Sequence, residues 1–276
     1  MKKSTRTELA RQAVAICESG SYQLNNGRGI ELAPAIAAAR DGTRLHTLDD
    51  FPDTKPTDLQ TETEIEVTSE STMEALSRLT LGSERHVAGL NFASAKNPGG
   101  GFLSGAQAQE ETLARSSALY PCLLTQPAYY ERNRANRSLL YLDLAIFSPN
   151  VPFFRDDSGT LLEKPYKASI ITAPAPNTGA VATNEPGNLP LIPETLRRRA
   201  RFVLAIAHHY GVTDLVLGAW GCGVFRNDPK LVATTFAGLV QGNGPFTKCF
   251  TRIVFAIYDR SSDKSVLHAF EEILNG

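Results

Sequence analysis

Two adjacent glutamates, Glu110 and Glu111, follow three consecutive glycines, Gly99, Gly100 and Gly101, in the stretch NPGGGFLSGAQAQEE. Carboxyl groups can carry protons for general acid and base chemistry. Glycine lacks a Cβ, so a run of it lets backbone amides approach a ligand closely, and converging amides form a nest for an anion such as a diphosphate. Neighbouring residues on a helix diverge by about 100°, so these two carboxylates cannot flank one scissile bond as a paired acid and base. They must hold different tasks. Acidic residues in a first helical turn also favourably oppose the helix dipole, which would account for the pair without any chemistry.

A second glycine-rich segment, GAWGCGVFRNDP, closes on Asp228-Pro229, a suitable N-cap and first helical residue, so the following helix would direct its positive end towards this loop. Neither segment is a nucleotide-triphosphate loop, and GCGVFR lacks the third glycine of a dinucleotide fingerprint. Each could equally be a tight turn.

Both segments follow apolar runs that read as strands, HVAGLNFA at 86–93 and DLVLGAW at 214–220. Further strands are predicted at 65–67, 142–147, 168–174 and 252–259. Helices are predicted from Ser71, whose capping-box partner is Glu74, from near Gln107, and over Glu194–Tyr210, Pro229–Val240 and Asp263–Leu274. Continuous rather than alternating apolar strands suit a sheet covered by helices on both faces, which predicts an α/β/α layered fold. In such sheets ligands sit beyond the carboxyl ends of the strands, where both glycine segments lie. The first forty residues read as helical, with Thr5 and Glu8 at capping-box spacing, an end at Gly20 and a second helix starting at Pro34. The polar stretch from Asp41 to Glu64 reads as a connection, dividing an N-terminal extension, 1–62, from a main domain, 63–276.

The chain has 276 residues, with 28 Lys and Arg against 29 Asp and Glu, so no basic excess is available to grip nucleic-acid backbones. An anionic ligand would need a local site. Cys17, Cys122, Cys222 and Cys249 are dispersed, with no zinc-ligand spacing, and read as reduced thiols of a cytoplasmic protein. No segment approaches the roughly 18 apolar residues of a membrane span, and the basic start MKKSTRTELARQ has no apolar core of a leader.

The three glycines, seven residues and then QEE resemble the signature of poly(ADP-ribose) glycohydrolases, and NFASAKNPGGG, ITAPAPNTG and VLGAWGCGVFRNDP are similar to segments of their microbial-type branch. The resemblance runs from about residue 62 to the end, and the N-terminal helices look like that branch's accessory segment. It implies a three-layer α/β/α macrodomain with a mixed central sheet and an N-terminal helical extension. The implied activity is hydrolysis of ribose–ribose O-glycosidic bonds to release ADP-ribose, with poly(ADP-ribose) and ADP-ribosylated proteins as partners. No metal or cofactor, no membrane and no sequence-specific nucleic-acid binding are implied. Glu111 would be the general acid and base, needing a raised pKa, and Glu110 would hold ribose hydroxyls. Gly99, Gly100 and Gly101 would face the terminal ribose and its phosphate, with Asn97 nearby and Gln109 steadying the loop. Ala219, Gly221, Cys222, Gly223, Val224 and Phe225 would wrap the diphosphate, the Phe225 ring packing on the ribose. Thr68, Ser69 and Glu70 would cover the adenine. The process served would be repair, recycling or scavenging.

Two departures stand out. Relatives often have FAN before the glycine run, where this chain has Phe92-Ala93-Ser94, and Arg226 stands where a small residue, often glycine, is expected. The cluster Arg197, Arg198, Arg199 and Arg201 reads as a solvated helix face rather than a polymer track, because it alternates with Leu196, Ala200, Val203 and Leu204. YYERNRANRS, with Tyr129 and Tyr130, and Tyr141 beyond it read as a surface loop region. A macrodomain that binds ADP-ribose without cleaving it, and a hydrolase of single ADP-ribose units, are the alternatives; a pure reader has no need of a carboxylate at the ribose.

Overall fold

A computed structural model describes residues 1–51, 62–82 and 84–275. The chain opens with α1 (Lys3–Ser19), a two-stranded hairpin of β1 (Ser21–Gln23) and β2 (Gly29–Glu31), α2 (Ala33–Gly42) and β3 (Arg44–Thr47). Then follow β4 (Glu64–Thr68), α3 (Thr72–Thr80), β5 (Val87–Phe92), α4 (Gln109–Ser116), α5 (Leu119–Leu123) and α6 (Pro127–Ala135). The long strands β6 (Leu144–Arg155) and β7 (Leu161–Ala173) precede α7 (Thr178–Asn184) and α8 (Ile192–His209). The chain closes with β8 (Asp214–Leu217), α9 (Pro229–Val240), β9 (Arg252–Ala256) and α10 (Ser265–Leu274).

Among the described residues one seven-stranded sheet runs β3-β6-β7-β5-β8-β9-β4. The block β7-β5-β8-β9-β4 is parallel, while β6 runs antiparallel to both β7 and β3, so the sheet is mixed. The apolar runs that looked continuous in sequence feed two cores alternately. Leu90, Ile171, Leu215 and Phe255 pack with Leu204, Phe236 and Phe270 of α8, α9 and α10. Val87, Ile170, Val216 and Val254 pack on the opposite face with Leu76, Leu113 and Leu119 of α3, α4 and α5. This is the α/β/α layering expected of strands buried on both sides.

The N-terminal segment is built into this body. Ala13, Ile16, Ile36 and Ala39 of α1 and α2 belong to the second core, and β3 pairs with β6 as an edge strand from Arg44↔Phe147 to Thr47↔Leu144. The stretch read as an irregular connection therefore holds a strand, whose four residues RLHT are too short and polar to signal one. Gly20 ends α1 in the left-handed conformation, φ 75°, as its glycine suggests. The start differs from the Thr5–Glu8 reading. Helix α1 begins at Lys3 with no side-chain cap, held instead by Arg6 donating to Gly105 O at 2.7 Å. The Ser71–Glu74 capping box of α3 forms in full, with Glu74 N donating to Ser71 Oγ at 3.0 Å.

Two sequence readings give way to tertiary packing. Tyr129 and Tyr130 do not lie in a surface loop; they sit on α6 at 0% and 2% exposure in the core beneath the sheet. Arg199 is not solvated. It is fully buried, with Nε 3.0 Å from Asp143 and its other nitrogens donating to Pro174 O at 2.6 Å and Leu140 O at 3.0 Å. Its neighbours are consumed nearby, Arg198 by Asp143 and Arg197 by Glu194. Removing one partner of a buried pair strands the other groups, so Arg199→Ala should lower unfolding stability by about 3 kcal/mol in denaturant titrations.

Candidate active site

Strands β7, β5 and β8 are neighbours and parallel, so the segments leaving their carboxyl ends share one rim of the sheet. Residues 93–108 follow β5, 174–177 follow β7, and 218–228 follow β8.

The first segment folds back over the start of α4. Gly99 and Gly100 have φ of 68° and 59°, left-handed values that disfavour side chains. A Cβ on Gly100 would lie 2.4 Å from Glu111 Oε1 and 3.0 Å from Glu110 Oε2. The bare backbone is thus pressed against both carboxylates of its own chain. Gly101 N donates to Glu111 Oε1 at 3.0 Å and Gly100 N donates to Asn97 O at 3.0 Å, while the Gly99 amide lies near enough to Glu110 to favour its ionised form slightly. Of the three amides expected to face a ribose and phosphate, those of Gly100 and Gly101 are thus engaged within the chain, and the missing side chains serve close approach.

The two glutamates differ in setting, as their divergence on the helix requires. Glu110 is 3% exposed, accepting from Ser94 N at 2.7 Å and Asn91 Nδ2 at 3.3 Å. Burial raises its pKa to about 8, with the Ser94 and Asn91 donors opposing and the nearby Glu111 adding a smaller push. Glu111 is half-buried beneath Gly101. Gln109 binds no loop glycine; it accepts from Phe92 N at 2.9 Å and donates to Leu90 O and Thr72 Oγ1, tying α4 to β5 and α3. At the FAN position, Ser94 Oγ accepts from Lys96 N and Asn97 N, leaving the Asn97 side chain exposed.

The second segment presents free donors. Among the described residues, the amides of Gly223, Val224 and Phe225 make no hydrogen bond within the protein, and Val224 is 83% exposed. Three successive unbonded amides before the N-terminus of α9, capped by Asp228 accepting from Lys230 N at 3.0 Å, suit an anion. Gly221, φ 74°, lets the chain pass Asn227 Nδ2 and Ala175 Cβ, which an added Cβ would meet at 2.3 and 2.7 Å. Cys222 lies half-buried in this turn, and burial pushes its thiol up to about 12. Ala219 is half-buried at the loop's start, and the Phe225 ring lies 6.0 Å from that of Tyr141. Arg226 takes φ 56°, the conformation of the glycine expected there, and its stem covers Gly179.

The third segment was underweighted by sequence reasoning. Thr178 Oγ1 donates to buried Asn227, and Gly179 N donates to Phe225 O at 3.0 Å, locking the loops after β7 and β8 together. Trp220 is fully buried beneath, its indole donating to Ala173 O at 3.2 Å. Asn91 was also missed, although a lone amide inside the apolar run HVAGLNFA was the signal. Thr68, Ser69 and Glu70 lie apart, at the end of β4, three strand spacings or about 14 Å from β5. There Glu70 accepts from Thr68 and pairs with Arg78 at 2.8 Å. Among the described residues no group of three or more His, Cys, Asp or Glu could hold a metal ion, and no helix is long and apolar enough to cross a membrane.

Comparison with known proteins followed this geometry. The family described as microbial-type PARG, catalytic domain, matches residues 10–156. The poly(ADP-ribose) glycohydrolase of Thermomonospora curvata is 46% identical with a TM-score of 0.92, over 98% of this chain and 100% of that one. Its complex with the inhibitor ADP-HPD is 47% identical with a TM-score of 0.91, over 98% and 99%. The glycohydrolase of Deinococcus radiodurans, in complex with ADP-ribose, is 48% identical with a TM-score of 0.81, over 88% and 97%. No curated protein sequence matches.

Two outcomes test this geometry. Gly100→Ala forces a methyl group onto both carboxylates and should abolish activity while circular dichroism stays native. Glu110 gains proton affinity on folding, from 4.5 to about 8, so the stability it contributes is complete below the unfolded value and lost as pH rises through about 8. Between about pH 5 and about pH 9 the wild type should lose up to about 4 kcal/mol of unfolding stability that Glu110→Gln does not lose.

Proposed function

This chain belongs to the microbial-type poly(ADP-ribose) glycohydrolase family, and from that premise we propose that it hydrolyses ribose–ribose bonds of poly(ADP-ribose) with Glu111 as general acid and base. The observation that carries the proposal is the backbone of Gly99–Gly101 laid directly over the two glutamates, with Gly101 N fixing Glu111 Oε1 at 3.0 Å. A carboxyl group so held can be aimed at one bond rather than left to explore rotamers.

In the proposed reaction the bond from the anomeric carbon to the leaving ribose oxygen breaks. Its electron pair departs with that oxygen, which takes the proton from Glu111. The sugar passes through an oxocarbenium-like state. Water then adds to the anomeric carbon and returns a proton to Glu111, completing the hydrolysis. The Gly223, Val224 and Phe225 amides hold the diphosphate, with the positive end of α9 behind them. Phe225 packs on the terminal ribose, and the turn at Thr68, Ser69 and Glu70 receives the adenine at the far end of the rim. The roughly 14 Å between the ends of β5 and β4 suits an extended ADP-ribose. Glu110 acts from beneath. Its enclosure favours fixing the Ser94 and Gly99 amides that floor the site over making the broad ribose contact implied by family resemblance.

Substrate on this reading is free polymer or polymer on modified proteins, and ADP-ribose is the product. The four dispersed cysteines form no disulfide with one another, which supports a reducing cytoplasmic setting, where polymer turnover would serve repair of damaged DNA or recycling of ADP-ribose. Glu111→Gln should reduce ADP-ribose release from purified polymer by at least about a thousandfold, while calorimetric ADP-ribose binding stays within about threefold of wild type. Normal turnover by Glu111→Gln would remove Glu111 from the chemistry. Binding without release by the wild type would make the protein a reader.

A further inference from the structure

A cleft of about 160 Å3 opens between the start of α1, α4, the β6–β7 turn and the segment after β9. Four guanidinium groups line it, from Arg6, Arg115, Arg155 and Arg260, against the two carboxylates of Asp156 and Asp157. Arg115 and Arg155 are 4% and 3% exposed. Among the described residues neither has a carboxylate within ion-pair distance. Arg115 donates only to uncharged oxygens, Ala106 O at 2.8 Å and Gln107 Oε1 at 2.7 Å among them. Arg155 donates to Gly159 O and Gln12 Oε1, and its buried Nε has no partner. Buried guanidinium groups without a counter-charge are costly, and proteins ordinarily pair them.

The two aspartates offset that charge only in part, and among the described residues neither lies within ion-pair distance of these arginines. Asp156 caps its own turn, accepting from Ser158 N at 2.9 Å and Thr160 N at 3.0 Å. Asp157 accepts from Ser71 Oγ at 2.7 Å. Arg6 is turned to Gly105 O and Met1 O, and Arg260 lies over the Tyr258 ring. The cleft is thus polar and basic, with four guanidinium groups against two carboxylates, and the charge that Arg115 feels from Glu111 comes from one turn back on α4. Arg115 lies one helical turn beyond Glu111, about 6 Å along the axis of α4. A polymer seated with its scissile bond at Glu111 carries a further diphosphate on each adjoining unit.

We propose that this cleft is a second anion subsite and that it takes the diphosphate of a neighbouring polymer unit. The polymer assignment rests on the glycohydrolase reading; the anion site itself rests on the four arginines alone. Bidentate guanidinium contacts to phosphate oxygens are the recognition chemistry.

The test is calorimetric titration of inorganic pyrophosphate into the full chain already saturated with ADP-ribose, for wild type, Arg155→Met and Arg260→Ala. Arg260 is exposed, so its variant stays folded even if Arg155→Met does not, and thermal melts report on both. Pyrophosphate should bind the saturated wild type and bind each folded variant about tenfold more weakly. Arg260→Ala should also raise KM for long polymer by about threefold or more with kcat unchanged. No pyrophosphate binding to the saturated protein, or equal binding by wild type and Arg260→Ala, would overturn the subsite. Weakened pyrophosphate binding with an unchanged polymer KM would overturn the polymer assignment and leave a site for free diphosphate. Failure of ADP-ribose to bind at all would count against the glycohydrolase reading and not against the cleft, where pyrophosphate would still be tested on the free protein.

Discussion

The structure depends on one contact, that of a backbone without side chains against two carboxylates. At Gly100 any Cβ would collide with Glu111 Oε1, and the amide of Gly101 after it is committed to Glu111. An ionisable pair is thereby enclosed by its own chain, and the amides that satisfy it come from the loop that covers it. Burying carboxyl groups without such donors would cost several kcal/mol each. The same donors give the pair different settings, because Ser94 and Asn91 enclose Glu110 while Glu111 stays half-buried.

What holds the covering loop lies well away in sequence. Arg6 of α1 binds Gly105 O, and a Cβ at Gly105 would strike Thr7 Oγ1 and Lys3 O at 2.6 and 2.7 Å. Ala10 packs with Phe102 and Ala114 in a small cluster between α1, the loop and α4. The N-terminal helix is therefore a brace for the glutamate-bearing segment. On the other side, buried Arg199 fixes Pro174 O and Leu140 O, where the loop after β7 begins. Thr178, Asn227 and Trp220 then carry that order to the loop with the unbonded amides. Each of the three loops is anchored by a buried polar group, a pattern in which full satisfaction of hydrogen bonds specifies one arrangement.

The same enclosure creates a contrast in electrostatics. The chain is nearly neutral, with a formal net charge of −1, yet arginines gather in the cleft beside α4, one turn along it from the carboxyl pair. For an anionic polymer such local separation matters more than net charge, because exposed charges are screened beyond about 8–10 Å and enclosed ones much less. On the proposed reading, affinity would be a property of the rim and its neighbouring cleft.

Sequence alone determined the layered α/β class, most of the buried strands, the helices α9 and α10 to within two residues, and the place of both glycine segments after strands; the mixed sheet was implied only by the family resemblance. These follow from local rules, namely apolar period, capping residues and the absence of Cβ, which act over a few residues and leave readable patterns. The family resemblance also marked position 226 as one for a small residue, often glycine, and Arg226 adopts φ 56°. Tertiary structure decided what those rules could not reach. Whether the Gly99–Gly101 amides point to a ligand or to Glu110 and Glu111 depends on how the loop folds back, which composition does not encode. Arg199 stood at the i+3 position of the stripe Leu196, Ala200, Val203, so its burial was faintly legible, but its partner Asp143 is 56 residues distant in sequence. RLHT became an edge strand only because β6 offered it a ladder. Four arginines from α1, α4, the end of β6 and the segment after β9 met in one cleft for the same reason. Contacts between distant residues are set by packing, and a linear pattern carries no record of them.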